Sequence, residues 1–167
     1  MTFRSTCALL GLIVATSVAF AADPAENDIY RLTTLAIPEG VSLESGAIEL
    51  LSNGKLAVTT RRGEIWLVEQ PFGEPAEMKW SRFAHGLHEV LGVAERDGWL
   101  YITQRGDVSR IKDTTGDGVA DKFEVVNDDW EISGDYHEYA FGSPFDKDGN
   151  LWVVLCLTGS FDSNVKY

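Results

Sequence analysis

The sequence has 167 residues, with 14 Lys and Arg against 26 Asp and Glu, for a net charge of −12 with His neutral. That balance argues against nucleic acid and anionic membrane surfaces, both of which select clustered cations. No Cys-x-x-Cys-His run is present, which excludes a covalent c-type haem from this chain.

In chain order, the first residues read as an export signal. Met1 to Arg4 form a short positive region, and an uncharged apolar run follows from Cys7 to Phe20. It closes on Ala19-Phe20-Ala21, the small-x-small pattern of a cleavage site. A run this short falls under the roughly 18–20 residues that span a bilayer. Cleavage after Ala21 is the expectation, which makes the protein secreted or periplasmic and leaves Cys156 without a second cysteine. Cys156 lies in the apolar run Trp152-Val153-Val154-Leu155-Cys156-Leu157 and reads as a strand residue, not a nucleophile.

Residues 22–43 form a lead-in, and then one plan is written three times. The first repeat, 44–83, holds Ala47–Leu51, the turn Asn53-Gly54, Lys55–Thr60, the turn Arg61-Arg62-Gly63 and Glu64–Val68. The second, 84–134, holds Leu91–Ala94, the turn Asp97-Gly98, Trp99–Thr103, the turn Gln104-Arg105-Gly106 and Asp107–Ile111. The third, 135–167, opens with Tyr139–Gly142, Asp148-Gly149 and Asn150–Val154. Asn-Gly and Asp-Gly between alternating apolar runs mark hairpins, because Gly takes φ > 0 at little cost. The landmarks Gly54, Gly98 and Gly149 recur at a spacing that fits a four-stranded propeller blade of roughly 40–50 residues. Outside the signal no sustained 3.6-residue period appears, so an all-β chain is predicted. A β-sandwich would account for the strands but not for the repeated wording. The expectation is a β-propeller of which about two and a half blades are present, the chain ending within an element as a truncation would.

An acidic loop interrupts the second repeat. Asp113, Thr115, Asp117 and Asp121 fall at positions 1, 3, 5 and 9 of a twelve-residue calcium loop, with Gly118 at the bend. Val119 would offer its carbonyl at position 7, and Glu124 stands at the bidentate position 12. Hard Ca²⁺ takes six to eight oxygens from a loop that wraps it, which is the chemistry this pattern serves. A solvated acidic turn accounts for the same residues, and both readings stay open. On either side of this loop, His88-Glu89 and His137-Glu138 occupy related places, each ahead of an inner strand, and Asp135 precedes His137 by two residues. A carboxylate beside an imidazole orients it and raises its basicity, as a general base requires.

These segments together resemble a known family. They are Leu91-Gly92-Val93-Ala94 with Asp97–Thr103, Thr60–Trp66, the Asp113–Asp121 loop, and His137-Glu138-Tyr139-Ala140-Phe141-Gly142 running on to Asp148-Gly149-Asn150. The sequence over residues 38–160 is similar to the soluble quinoprotein glucose/sorbosone dehydrogenases, and more closely to their secreted relatives of the planctomycete type. The resemblance implies a six-bladed propeller that binds pyrroloquinoline quinone (PQQ) at its channel mouth. It implies oxidation of a sugar or alcohol, with an electron acceptor such as a cytochrome c. His137 would take the substrate hydroxyl proton while hydride passes to the quinone, with Asp135 as its acidic neighbour. His88 and Glu89 would stand among the quinone contacts, His88 or Leu87 occupying the place where the sugar dehydrogenases hold a Gln. Other quinone contacts of the family would come from further blades, so the chain alone is expected to be inactive. A non-catalytic, calcium-stabilised propeller that binds carbohydrate or protein is the alternative reading.

Overall fold

A computed structural model describes residues 29–30, 32–132 and 137–156. The signal expected at 1–21, Asp135 and the last residues of the third repeat lie outside these. Every strand falls in the unit that begins at Thr33. Among the described residues no helix is long and apolar enough to cross a membrane.

The chain is all-β and antiparallel. The first sheet contains β1 (Ser45–Leu50), β2 (Leu56–Thr60), β3 (Ile65–Glu69) and β4 (Lys79–Ala84), paired in that order. The second contains β5 (Gly92–Arg96), β6 (Trp99–Thr103), β7 (Val108–Lys112) and β8 (Lys122–Asn127), also in chain order. A hairpin, β9 (Ala140–Phe145) and β10 (Leu151–Leu155), follows. The two sheets are thus the same up-and-down meander, and their turns are the expected ones. Gly54, Gly98 and Gly149 have φ of +82°, +73° and +89°, a region an L side chain enters only with strain.

One core lies between the two sheets. Leu51, Ala57, Ile65, Leu67 and Phe83 of the first repeat pack against Val90, Val93, Leu100, Ile102, Ile111 and Ala120 of the second. Ile65, Ile102 and Ile111 are wholly buried, each contributing about 1.5–3 kcal/mol relative to exposure. The acidic loop helps to close this core. Ala120 enters it, and its N–H donates to the Phe83 carbonyl of β4 at 2.7 Å.

The first strands of the repeats stack closely. Thr59 of β2 donates its hydroxyl to the Val90 carbonyl at 2.9 Å, ahead of β5. Thr103 stands at the same place in β6 and shares a short hydrogen bond with Ser143 of β9. The outer ends are tied as well. Glu95 accepts from the Ser52 hydroxyl and N–H, and Arg96 donates to the Gly149 carbonyl at 2.7 Å while its guanidinium lies over Phe145. Hence each sheet touches the next through the same positions of the repeat.

The hairpin turn is organised by one carboxylate. Asp146 accepts from the Asp148 and Asn150 N–H groups, the Asn150 amide and the Trp152 indole, all at 2.9 Å. These bonds, the Asn150 amide first, hold its carboxyl far below the ordinary carboxylate value of 3.8. A depressed folded value means that the stabilisation is complete above the unfolded value and fades as pH falls from there toward the folded one. We expect Asp146→Ala to melt at a lower temperature than the wild type at pH 7, and the gap to narrow as pH is taken below 3.8. Thermal melts of both proteins from pH 7 to pH 2 check this; a gap that stays constant would remove Asp146 from the turn.

Candidate functional site

The rim at the entry to the inner strands collects acids and arginines at repeating positions. Glu44 and Glu89 precede β1 and β5, both at positive φ, 39° and 47°. A non-glycine residue is held there only by its surroundings. Opposite them, the β2–β3 and β6–β7 turns supply Arg61 and Arg105. The backbone joins the two sides, since the Arg61 N–H donates to the Glu44 carbonyl and the Arg105 N–H to that of His88.

The side chains extend this into a ladder. Arg61 Nε lies 3.5 Å from Glu44 Oε2, and its Nη1 lies 3.9 Å from Glu89 Oε1. Arg105 Nη1 lies 3.6 Å from Glu89 Oε2, and His88 Nε2 is 3.8 Å from the same oxygen. Glu89 is therefore the common partner of Arg61, Arg105 and His88. Its Oε2 is sealed from solvent and has ion-pair neighbours but no hydrogen bond. The His88 ring is largely exposed, yet its backbone is fixed, because buried Gln104 accepts from the His88 N–H at 2.7 Å.

Arg105 carries the ladder into the third repeat. Its Nε donates to the Glu138 carbonyl at 2.7 Å, and its guanidinium lies 5.3 Å from the centre of the Tyr139 ring. The Arg105 carbonyl in turn accepts from the Trp130 indole at 3.0 Å. Glu138 is buried, while His137 beside it is exposed in a turn. The rim thus brings His88, Glu89 and the His137-Glu138 segment to one edge of the sheet stack, with Arg105 linking Glu89 to Glu138. Asp135 lies outside the described residues.

The ladder is a site that the sequence reading missed. Arg61 and Arg105 were read only as turn residues. Their shared place after Thr59-Thr60 and Thr103-Gln104 was the available signal.

The acidic loop is arranged differently from a cation cage. Asp113 accepts from the N–H groups of Thr115, Gly116 and Gly118 and from the Thr115 hydroxyl. Asp121 accepts from Thr114 N–H and hydroxyl, and Asp117 from the Val119 N–H. The Gly118 N–H above all holds the Asp113 carboxyl below its ordinary value, and the Thr114 hydroxyl does so for Asp121. Glu124 stands in β8, where Lys122 Nζ at 2.9 Å and Arg110 Nε at 2.7 Å engage it. Its charged form is favoured by those two cations, Lys122 first. Among the described residues no group of three His, Cys, Asp or Glu side chains converges as a metal site.

In this arrangement the acids of the loop are engaged within the chain and do not converge on one point. The acids near the bend serve the loop's own backbone, and the twelfth-position acid faces the cations of its strand. We expect calorimetric calcium titrations of the wild type and of Asp117→Ala to give the same heats. A binding heat that Asp117→Ala removes would assign the loop to the cation.

No protein-family model matches the chain, and no curated protein or solved structure matches it.

Proposed function

We propose that the chain is part of a secreted quinoprotein-type β-propeller that oxidises a sugar or alcohol. The observation that carries the reading is the repeated stack with its charged rim. Two four-stranded meanders and a hairpin stack on one another, and the entries to β1 and β5 hold Glu44 and Glu89, which Arg61 and Arg105 of the same repeats engage. In a propeller, inner strands surround a central channel and the residues at their entry line its mouth. His88, Glu89 and the His137-Glu138 segment belong to that mouth in this reading.

The rim does not fit the quinone by itself. PQQ carries carboxylates and calls for cationic donors, whereas Arg61 and Arg105 are already set against Glu44 and Glu89. The reading therefore gives this chain the base and its support, and gives the remaining quinone contacts to further blades. His137 is the proposed base for the substrate hydroxyl proton. Its exposure leaves the ring accessible, and the Arg105 bond to the Glu138 carbonyl fixes the backbone beside it. A general base must come within hydrogen-bond reach of the proton it takes, and a fixed backbone beside the ring supports that role. Dye-linked oxidation of glucose and simple alcohols by the full gene product, with and without added PQQ, tests the reading.

A further inference from the structure

We propose that Asn53 is a site of spontaneous covalent modification, its carboxamide captured by the backbone nitrogen of Gly54 to give isoaspartate, and that the change loosens the junction between the first two repeats. The reaction needs only water, so it is independent of the dehydrogenase reading and of any further blade.

The sequence holds five asparagines, and Asn53 alone is followed by glycine. Asn53 and Gly54 form the tip of the β1–β2 hairpin, and both are exposed. For the reaction, the Gly54 nitrogen must swing onto the side-chain carbon of Asn53, a movement that a Cβ on the following residue obstructs. The space around Gly54 is open as well, since a Cβ built there would meet no atom within 4 Å. The carboxamide is polarised for attack, because its oxygen accepts from the Lys55 N–H at 3.0 Å. In the closed turn the Gly54 N–H donates to the Leu51 carbonyl. The reaction therefore proceeds from the open turn, and exposed hairpin tips are among the first parts of a fold to open.

The steps balance without a further reagent. Loss of the Gly54 amide proton lets its nitrogen attack Cγ of Asn53. The new Cγ–N bond forms as the Cγ–Nδ2 bond breaks, and the proton leaves with the departing ammonia. Water then opens the cyclic imide. Addition at the backbone carbonyl gives isoaspartate, and addition at the side-chain carbonyl gives aspartate.

The other described asparagines are held differently. Asn150 donates its amide to Asp146, and Leu151 after it enters β10 opposite Phe145. Asn127 donates its amide to Asp129, and the residue that follows it is Asp128, not glycine.

Asn53 also sits where the first two repeats are tied. Ser52 beside it donates its N–H and its hydroxyl to Glu95 of β5, at 2.5 and 2.9 Å. Asn53 and Glu95 line one cleft between the two sheets. Isoaspartate adds a backbone carbon next to Ser52 and a carboxylate at the cleft that Glu95 lines. The added carbon shifts the Ser52 donors, and the two like charges repel.

The test is to hold the purified full chain at pH 8 and 37 °C, digest samples with trypsin at intervals and weigh the peptides. Peptide 32–55 contains no asparagine or glutamine besides Asn53, and peptide 123–147 none besides Asn127. We expect peptide 32–55 to gain one mass unit first, with isoaspartate the larger product on labelling by an isoaspartyl methyltransferase. The converted protein should melt about 2–4 °C below the fresh one. Asn53→Asp, which adds the charge without the carbon, should show a smaller fall. A peptide 32–55 that keeps its mass, or that gains it only after peptide 123–147 has, overturns the proposal. Converted protein that melts with the fresh one overturns the loosening of the junction.

Discussion

Gly92→Ala is expected to lower stability by about 3 kcal/mol, at the upper end of the cost of overpacking. For a chain of this length that is a fall in melting temperature of about 10 °C. The reason is space and not backbone conformation. A Cβ built on Gly92 would overlap the Gly142 carbonyl oxygen and stand 2.7 Å from Ser143 Oγ. Neither obstacle is the end of a flexible chain, since one is backbone and the other is held by Thr103. Gly46, at the same place in the first repeat, meets the Val90 carbonyl in the same way. The close approach of inner strands is thus a property of the repeat, and Gly46→Ala should show a loss of the same kind. Thermal melts with near-ultraviolet circular dichroism read the effect. A Gly92→Ala protein that melts with the wild type would mean that the second sheet and the hairpin do not stack as described.

On the proposed dehydrogenase reading, His137→Ala is expected to reduce quinone-dependent turnover of the complete propeller by about 10²–10⁴-fold, the usual contribution of a positioned general base. The loss should fall mainly on kcat, because a base that acts on the hydroxyl proton is used in the transition state and not in ground-state binding. Glu138 is buried and its carbonyl is held by Arg105, so the truncation at His137 should leave the supporting backbone in place. Melting temperature therefore serves as the control. Undiminished turnover of a folded His137→Ala enzyme would make His137 a lining residue of the rim.

The inner elements were legible in the sequence because each rests on local rules. The short apolar and β-branched runs Leu56–Thr60 and Trp99–Thr103, and Gly at Gly54, Gly98 and Gly149, call for strands and tight turns whatever surrounds them. The fourth strands, Lys79–Ala84 and Lys122–Asn127, were not read individually. They lie at the outer edge of their sheets, where exposed and buried residues do not alternate cleanly. Pairing with β3 and β7, a long-range condition, makes them strands. The start of β8 at Lys122 also changes the acidic loop, since Glu124 belongs to a strand and to Arg110. At the rim, His88, Glu89 and His137 could be singled out by residue type. The Glu89 hub could not, because Arg61, Arg105 and His88 reach it from two repeats and only stacking brings them together.

The most direct test of the account compares turnover by the full gene product with turnover by the 167-residue chain, each with and without PQQ. Glucose and simple alcohols serve as substrates and a dye as acceptor. The account predicts dye reduction by the full gene product only when the quinone is present, and none by the chain alone. Turnover by the chain alone, or a quinone-loaded full product that oxidises none of these substrates, would contradict it.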